Sequence, residues 1–136
     1  CIGLYFGKTV GELKALELAR QVNPEQLVII GLIPTKATLM ENVPVPKPDV
    51  FAKIISIARL MFPKTSISMG CMRPPGRLRT QIDIQAIKSG VDRIELPTKR
   101  ALKEITNLNL TIKKIEACCT LPEWLEQRIS KAHSYT

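Results

Sequence analysis

Ser66-Ile-Ser-Met-Gly-Cys-Met-Arg-Pro-Pro-Gly76 is the stretch of sequence that decides the fold of this chain. Its first residues alternate, with Ile67 and Met69 set between serines, and this pattern predicts a strand whose two faces differ. Gly70 then allows another part of the chain to approach the backbone closely. Two consecutive prolines forbid a regular continuation, so the strand ends near Cys71 and a loop follows.

Apolar segments on both sides of this strand alternate with amphipathic helices. The predicted strands are residues 2–7, 27–33, 66–71, 91–96 and 110–117. The predicted helices are residues 12–21, 48–62, 80–89 and 98–107, with a last one starting near 120. This alternation predicts an α/β fold with a parallel sheet and right-handed crossovers. Long loops after two of the strands favour a (β/α) half-barrel, resembling a fragment of a TIM barrel, and the pattern also permits a doubly wound sheet.

The composition predicts one globular domain. The chain has 136 residues, of which 45% are hydrophobic, enough for one core. No apolar run is long enough to cross a bilayer, so no membrane partner is expected. The first residue is Cys1 rather than Met, which suggests a fragment or a processed product.

The net charge and the cysteine content indicate which kinds of partner and which cellular compartment to expect. The formal net charge of +8 gives a surface that attracts anions. Aromatic residues are only 4% of the chain, too few for a base-stacking platform, so a basic nucleic-acid-binding domain is a minor alternative. The four cysteines lack paired Cys-x2-Cys spacing, and nothing indicates secretion, so a reducing cytoplasm is expected.

Five collinear stretches cover most of the chain: Ile2-Gly-Leu-Tyr-Phe-Gly-Lys8, residues 27–41, residues 54–63, residues 67–73 and residues 90–94. Together they resemble radical S-adenosylmethionine enzymes of the biotin-synthase and lipoyl-synthase type, including their biotin-synthase-like group in archaea. The first stretch is similar to the family's Gly-x-Ile-x-Gly strand, and the second to the strand and loop ending in Gly-Thr-Pro-Leu. The third is similar to its Ile-Ala-x-Ala-Arg-x-Met-x-Pro helix, the fourth to its Leu-Ser-Ala-Gly-Arg strand, and the fifth to the strand after it.

The resemblance implies the carboxyl-terminal half of the barrel over residues 1–119, followed by a helix and tail over 120–136. In that family a [4Fe–4S] cluster bound by Cys-x3-Cys-x2-Cys cleaves S-adenosylmethionine, and sulfur is inserted at an unactivated carbon of a lipoyl or biotin precursor. That motif is absent from the sequence, so this chain alone is expected to be inactive and to hold no cofactor. The expected partner is the missing amino-terminal half or a second copy of the chain.

Four residues are similar to cofactor-contacting positions of the family, and Cys71, close to one of them, departs from the biotin-synthase pattern. Ile2, Gly3 and Leu4 match the strand that contacts S-adenosylmethionine, or form a plain barrel strand. Arg73 matches an arginine that binds an auxiliary [2Fe–2S] cluster, and is expected to line the pocket as a donor to an anionic group. A solvated loop charge is the alternative for Arg73, and Cys71 is either a pocket thiol or core filler.

Adjacent thiols near the end of the last predicted strand form a further candidate site. Cys118 and Cys119 either supply a thiolate to an auxiliary iron–sulfur cluster or are buried thiols at a strand edge. The resemblance therefore implies a fragment or subunit of a sulfur-inserting radical enzyme. The alternative is a non-catalytic (β/α) fragment that self-associates.

Overall fold

The computed structural model describes residues 1–115, 117–122 and 124–128. Within these residues, helices and strands alternate as predicted. The elements are α1 Glu12–Gln21, β1 Gln26–Ile29, α2 Pro48–Met61, β2 Ser66–Met69, α3 Gly76–Lys88, β3 Arg93–Ile94 and α4 Lys99–Asn107. Residues 124–128 are also helical. No helix among the described residues is long and apolar enough to span a bilayer.

The strands form one parallel sheet in the order β1-β2-β3. Leu27 pairs with Ile67, and Ser68 pairs with Arg93. A parallel bridge between Ile2 and Gly31 lies just past the end of β1. The α/β class and the parallel sheet are confirmed, and the sheet is small and open.

The two faces of β2 differ, as the alternating sequence predicts. Ile67 and Met69 belong to the apolar core, which they share with buried side chains of α2 and α3. Ser68 points to the opposite face, where it accepts a hydrogen bond from Gln26 Nε2 at 2.6 Å. Arg93 lies on the same polar face because it pairs with Ser68 across the sheet.

Helix α2 is central to the core. Pro48 stands in its first turn, where a missing N–H costs nothing, and Phe51, Ile55 and Ala58 are completely buried. Arg59 closes its far end, donating to Phe62 O at 3.3 Å and to the carboxylate of Asp92. These contacts tie α2 to the connections that precede β2 and β3.

The predicted strand over residues 2–7 is wrong beyond Ile2. Gly3, Phe6 and Gly7 have φ angles of 81°, 50° and 77°, and these left-handed conformations turn the chain away from the sheet. Lys8 N–H then donates to Tyr5 O at 2.9 Å, closing a tight turn. The predicted strand would have needed extended backbone at all three positions.

The predicted strand over residues 110–117 is also wrong. Residues 110–115 and 117 have no strand pairing, and Leu110 and Ile112 are exposed on the connection after α4. Alternating apolar residues indicate a strand only where a sheet edge receives them. Helix α3 begins at Gly76 rather than near residue 80, because Pro75 is extended and serves as its N-cap. Residues 129–136, in the predicted tail, lie outside the described residues.

Candidate functional site

Arg73 follows β2 and its guanidinium is buried among protein acceptors. Its side chain and that of Asp83 on α3 are both 0% exposed, and Nε donates to the Asp83 carboxylate at 2.6 Å. The other nitrogens donate to Gly70 O and, at 2.6 Å, to Glu95 O. Burial lowers the pKa of Arg73, and the hydrogen bond to Asp83 acts in the opposite direction.

This buried pair joins the carboxyl ends of two strands to two helices. The second oxygen of Asp83 accepts the backbone N–H of Thr98 at 2.9 Å, and Thr98 caps α4 by accepting from Ala101 N at 3.3 Å. The roles predicted for Arg73, a pocket donor or a solvated loop charge, both need an accessible guanidinium. The structure instead pairs Arg73 with an anionic group of the same chain.

Residues Ile2, Gly3 and Leu4 occupy three different environments. Ile2 is buried against β1. A side chain on Gly3 would collide with Pro46, and the Gly3 N–H donates to Glu12 Oε1 at 2.8 Å. Leu4 is exposed. A cofactor would therefore find Leu4 accessible and the space beside Gly3 filled.

Exposed apolar side chains follow the carboxyl ends of neighbouring strands. Leu4 comes after the bridge at Ile2, Met72 after β2, and Leu96 after β3, and all three are more than half exposed. Met72 O accepts the N–H of Gly31 at 2.8 Å, which fixes the loop beside the end of β1. We call Leu4, Cys71, Met72 and Leu96 the carboxyl rim. Cys71, whose thiol is exposed, belongs to the same rim.

Cys119 is brought close to Cys71 although the two are far apart in the sequence. Burial raises the pKa of the half-buried Cys119 thiol, and the backbone N–H of Cys71 acts against that rise. Cys118 is exposed, and the Thr120 hydroxyl lies 3.3 Å from its sulfur. That hydrogen bond is the main cause of a lowered pKa of Cys118.

The auxiliary iron–sulfur cluster predicted at Cys118 and Cys119 stays a prediction. Over residues 1–115, 117–122 and 124–128, no three His, Cys, Asp or Glu side chains are placed to hold a metal ion. No chemical step is assigned to a cluster on these residues.

A network on the polar face of the sheet was not predicted from the sequence. Gln26 links Ser68 to the carbonyl of Cys119, with both distances 2.6 Å. Arg93 contacts Glu126 at 2.9 Å, and Lys113 reaches the other oxygen of Glu126 at 2.8 Å. The serine alternation in β2 indicated a polar face, but the residues that cover it come from distant parts of the chain.

Comparison of the chain with family models, with curated proteins and with solved structures gave no match.

The Cys118 thiol is expected to react with iodoacetamide about threefold or more faster than Cys119 at neutral pH. The lowered pKa of Cys118 gives it more thiolate at neutral pH than Cys119, whose pKa is raised, and the difference should shrink only at a pH high enough to ionise Cys119 as well. Peptide mass spectrometry of partially alkylated protein measures both rates. Thr120→Val removes the hydroxyl donor and should slow Cys118 alone, while equal rates for the two thiols would contradict the prediction.

Proposed function

We propose that the chain is the pocket-lining part of a radical S-adenosylmethionine enzyme that inserts sulfur into a lipoyl or biotin precursor. One observation carries the proposal. Ile2, β1, β2 and β3 are parallel neighbours in chain order, so their carboxyl ends lie along one edge. This is the order of consecutive strands in a (β/α) barrel, where that edge holds the site. In the proposal, the half-barrel is completed by another segment or subunit.

The carboxyl rim supports this role with apolar side chains beside a thiol. Leu96 is 70% exposed and lies just past the end of β3. A lipoyl or biotin precursor carries an alkyl chain, which such a rim would bind by burial of apolar surface. The radical-generating cluster would belong to the complete enzyme, because this sequence has no Cys-x3-Cys-x2-Cys. No step through S-adenosylmethionine is assigned either, since Pro46 fills the space beside Gly3.

The complete gene product, purified anaerobically, provides the test. It should contain an in-frame Cys-x3-Cys-x2-Cys and should cleave S-adenosylmethionine to 5′-deoxyadenosine under reducing conditions. Leu96→Asp should lower kcat/KM for the precursor about tenfold or more, because it places a charge in an apolar contact. Leu60→Asp, an equally charged change at an exposed position of α2, should leave kcat/KM unchanged. A gene product without the motif, or equal effects of both variants, would reject the proposal.

Self-association without catalysis is the second candidate function, and the open sheet favours it. The sheet has three strands, and unpaired edges with exposed apolar neighbours recruit further strands. The chain alone should sediment as a dimer at micromolar concentration. A clean monomer by analytical ultracentrifugation would remove this candidate while leaving the enzymatic one open.

A further inference from the structure

Residues 117–122 and 124–128, named here the C-terminal cover, lie across the polar face of the sheet. Cys119 O accepts from Gln26 Nε2 at 2.6 Å, and Leu121 O accepts from Arg93 at 2.9 Å. Trp124 Nε1 donates to Glu25 at 3.2 Å, beside the start of β1. The cover therefore contacts residues at or beside the starts of β1 and β3, the two outer strands of the sheet.

Glu126 is the charged anchor of the cover. Its carboxylate is 6% exposed and lies between Arg93 at 2.9 Å and Lys113 at 2.8 Å. The hydrogen bond from Lys113 is the main cause of a lowered pKa of Glu126, and Arg93 acts in the same direction. A carboxylate held by two cations is a strong local contact, but the side chain of Lys113 is 71% exposed and its pairing is screened by salt.

Apolar burial holds the cover less firmly than it holds the core. Among the described residues, the buried apolar core ends with Ala101, and the cover adds partly buried side chains outside that core, among them Leu121 and Leu125. Trp124, its largest apolar side chain, is 52% exposed. Hydrogen bonds and ion pairs exchange readily for contacts with water, so their net contribution is modest compared with the burial of apolar side chains.

From these contacts we infer that the C-terminal cover is a detachable strap that opens while the rest of the fold stays intact. Opening exposes Gln26, Ser68 and Arg93, a row of hydrogen-bonding groups on neighbouring strands. Arg93 then loses its carboxylate partner, so the uncovered face fits a ligand that carries a carboxylate in place of Glu126. The inference stands on the contacts alone and does not depend on the proposed enzymatic function.

Residue-resolved amide hydrogen exchange by NMR tests the strap. The amides of Leu121 and Leu125 are hydrogen-bonded within the cover, at 3.0 Å and 3.1 Å. A detached segment this short does not keep its helical turn, so opening should release both amides to exchange. In the wild-type chain both should exchange faster than Ile67 of β2, whose N–H donates to Asp92 at 2.7 Å.

Glu126→Gln supplies the decisive variant, because it removes both ion pairs and keeps the side-chain shape. Exchange at Leu121 and Leu125 should rise about tenfold, with Ile67 unchanged. The matched control is Glu17→Gln, which breaks an exposed ion pair with Lys14 on α1. It should leave the exchange rates of all three amides unchanged. Added salt should accelerate amide exchange at Leu121 and Leu125 in the wild type and have little effect on it in Glu126→Gln.

Two results would overturn the inference. Equal exchange rates at Leu125 and Ile67 in the wild type would mean that the cover opens only when the whole chain unfolds. Equal acceleration of Leu125 and Ile67 in Glu126→Gln would mean that Glu126 supports the global fold rather than the strap. Neither result would bear on catalysis by the complete gene product.

Discussion

Asp83→Asn is expected to lower the free energy of unfolding by about 3–5 kcal/mol, a large part of the stability of a single domain. The substitution keeps the shape of the side chain but leaves the positive charge of Arg73 buried without a counter-charge. Both side chains are 0% exposed, so water does not solvate the charge in the folded state. Equilibrium unfolding in urea, followed by circular dichroism, measures the change.

A neighbouring arginine provides the control. Arg79 on α3 donates to Leu96 O at 3.0 Å from a partly exposed position. Arg79→Gln should therefore cost no more than about 1 kcal/mol, because water replaces the lost hydrogen bond. Comparable losses for Arg79→Gln and Asp83→Asn would contradict the assignment of Arg73 and Asp83 as a buried structural pair.

The double variant Arg73→Met with Asp83→Leu separates charge from hydrogen bonding. Replacing a buried ion pair by apolar residues is often neutral, because the desolvation of both charges is avoided. Here the carbonyls of Gly70 and Glu95 would lose their Arg73 donor and the Thr98 N–H would lose its Asp83 acceptor, at a cost of about 1–3 kcal/mol each if no water reaches them. We therefore expect partial recovery relative to Asp83→Asn, and full recovery would show that these backbone groups do not need Arg73 or Asp83.

Local sequence signals predicted the elements whose ends are determined by nearby residues. Helix α1 has the predicted bounds, and α4 begins at Lys99, next to the predicted start at residue 98, with Thr98 as its cap. Gly90 follows α3 with a φ of 93°, a left-handed conformation that glycine adopts readily at the end of a helix. Gly70 permits the close approach that its position near the end of the predicted strand 66–71 indicated, since an added Cβ would lie 2.9 Å from Val28 and 2.8 Å from Ile30.

Features that depend on residues far apart in the sequence could not be predicted from local patterns. The strand predicted over residues 110–117 needs a neighbouring strand with a free edge to pair with. The alternating pattern of the segment does not show whether such an edge exists. The burial of Arg73 depends on Asp83, which lies within an otherwise apolar stripe of α3 formed by Ile82, Ala86 and Ile87. A charged residue in such a stripe was the available signal for a buried ion pair. The closeness of Cys119 to Cys71 likewise arises from the path of the cover.

Gly31→Ala is expected to lower the free energy of unfolding by about 1–3 kcal/mol through overpacking. A Cβ at this position would overlap the ring of Phe51, which is completely buried in α2. The backbone cannot move aside easily, because Gly31 N–H donates to Met72 O at 2.8 Å and Leu32 N–H donates to Ile2 O at 2.9 Å. The strain must therefore fall on the ring or on these hydrogen bonds, and thermal and urea unfolding should both report it.

Combining Phe51→Leu with Gly31→Ala tests whether the overlap with the Phe51 ring causes the loss of stability. Phe51→Leu alone should destabilise the chain, because it removes buried apolar volume from the core. In combination, the smaller side chain should accept the new methyl group, so the double variant should be more stable than the sum of the single changes predicts. Additive losses would place the damage elsewhere, at the bridge between Ile2 and Gly31. In that case the bridge that attaches Ile2 to β1 would require glycine at position 31. The row of parallel carboxyl ends would then depend on that glycine.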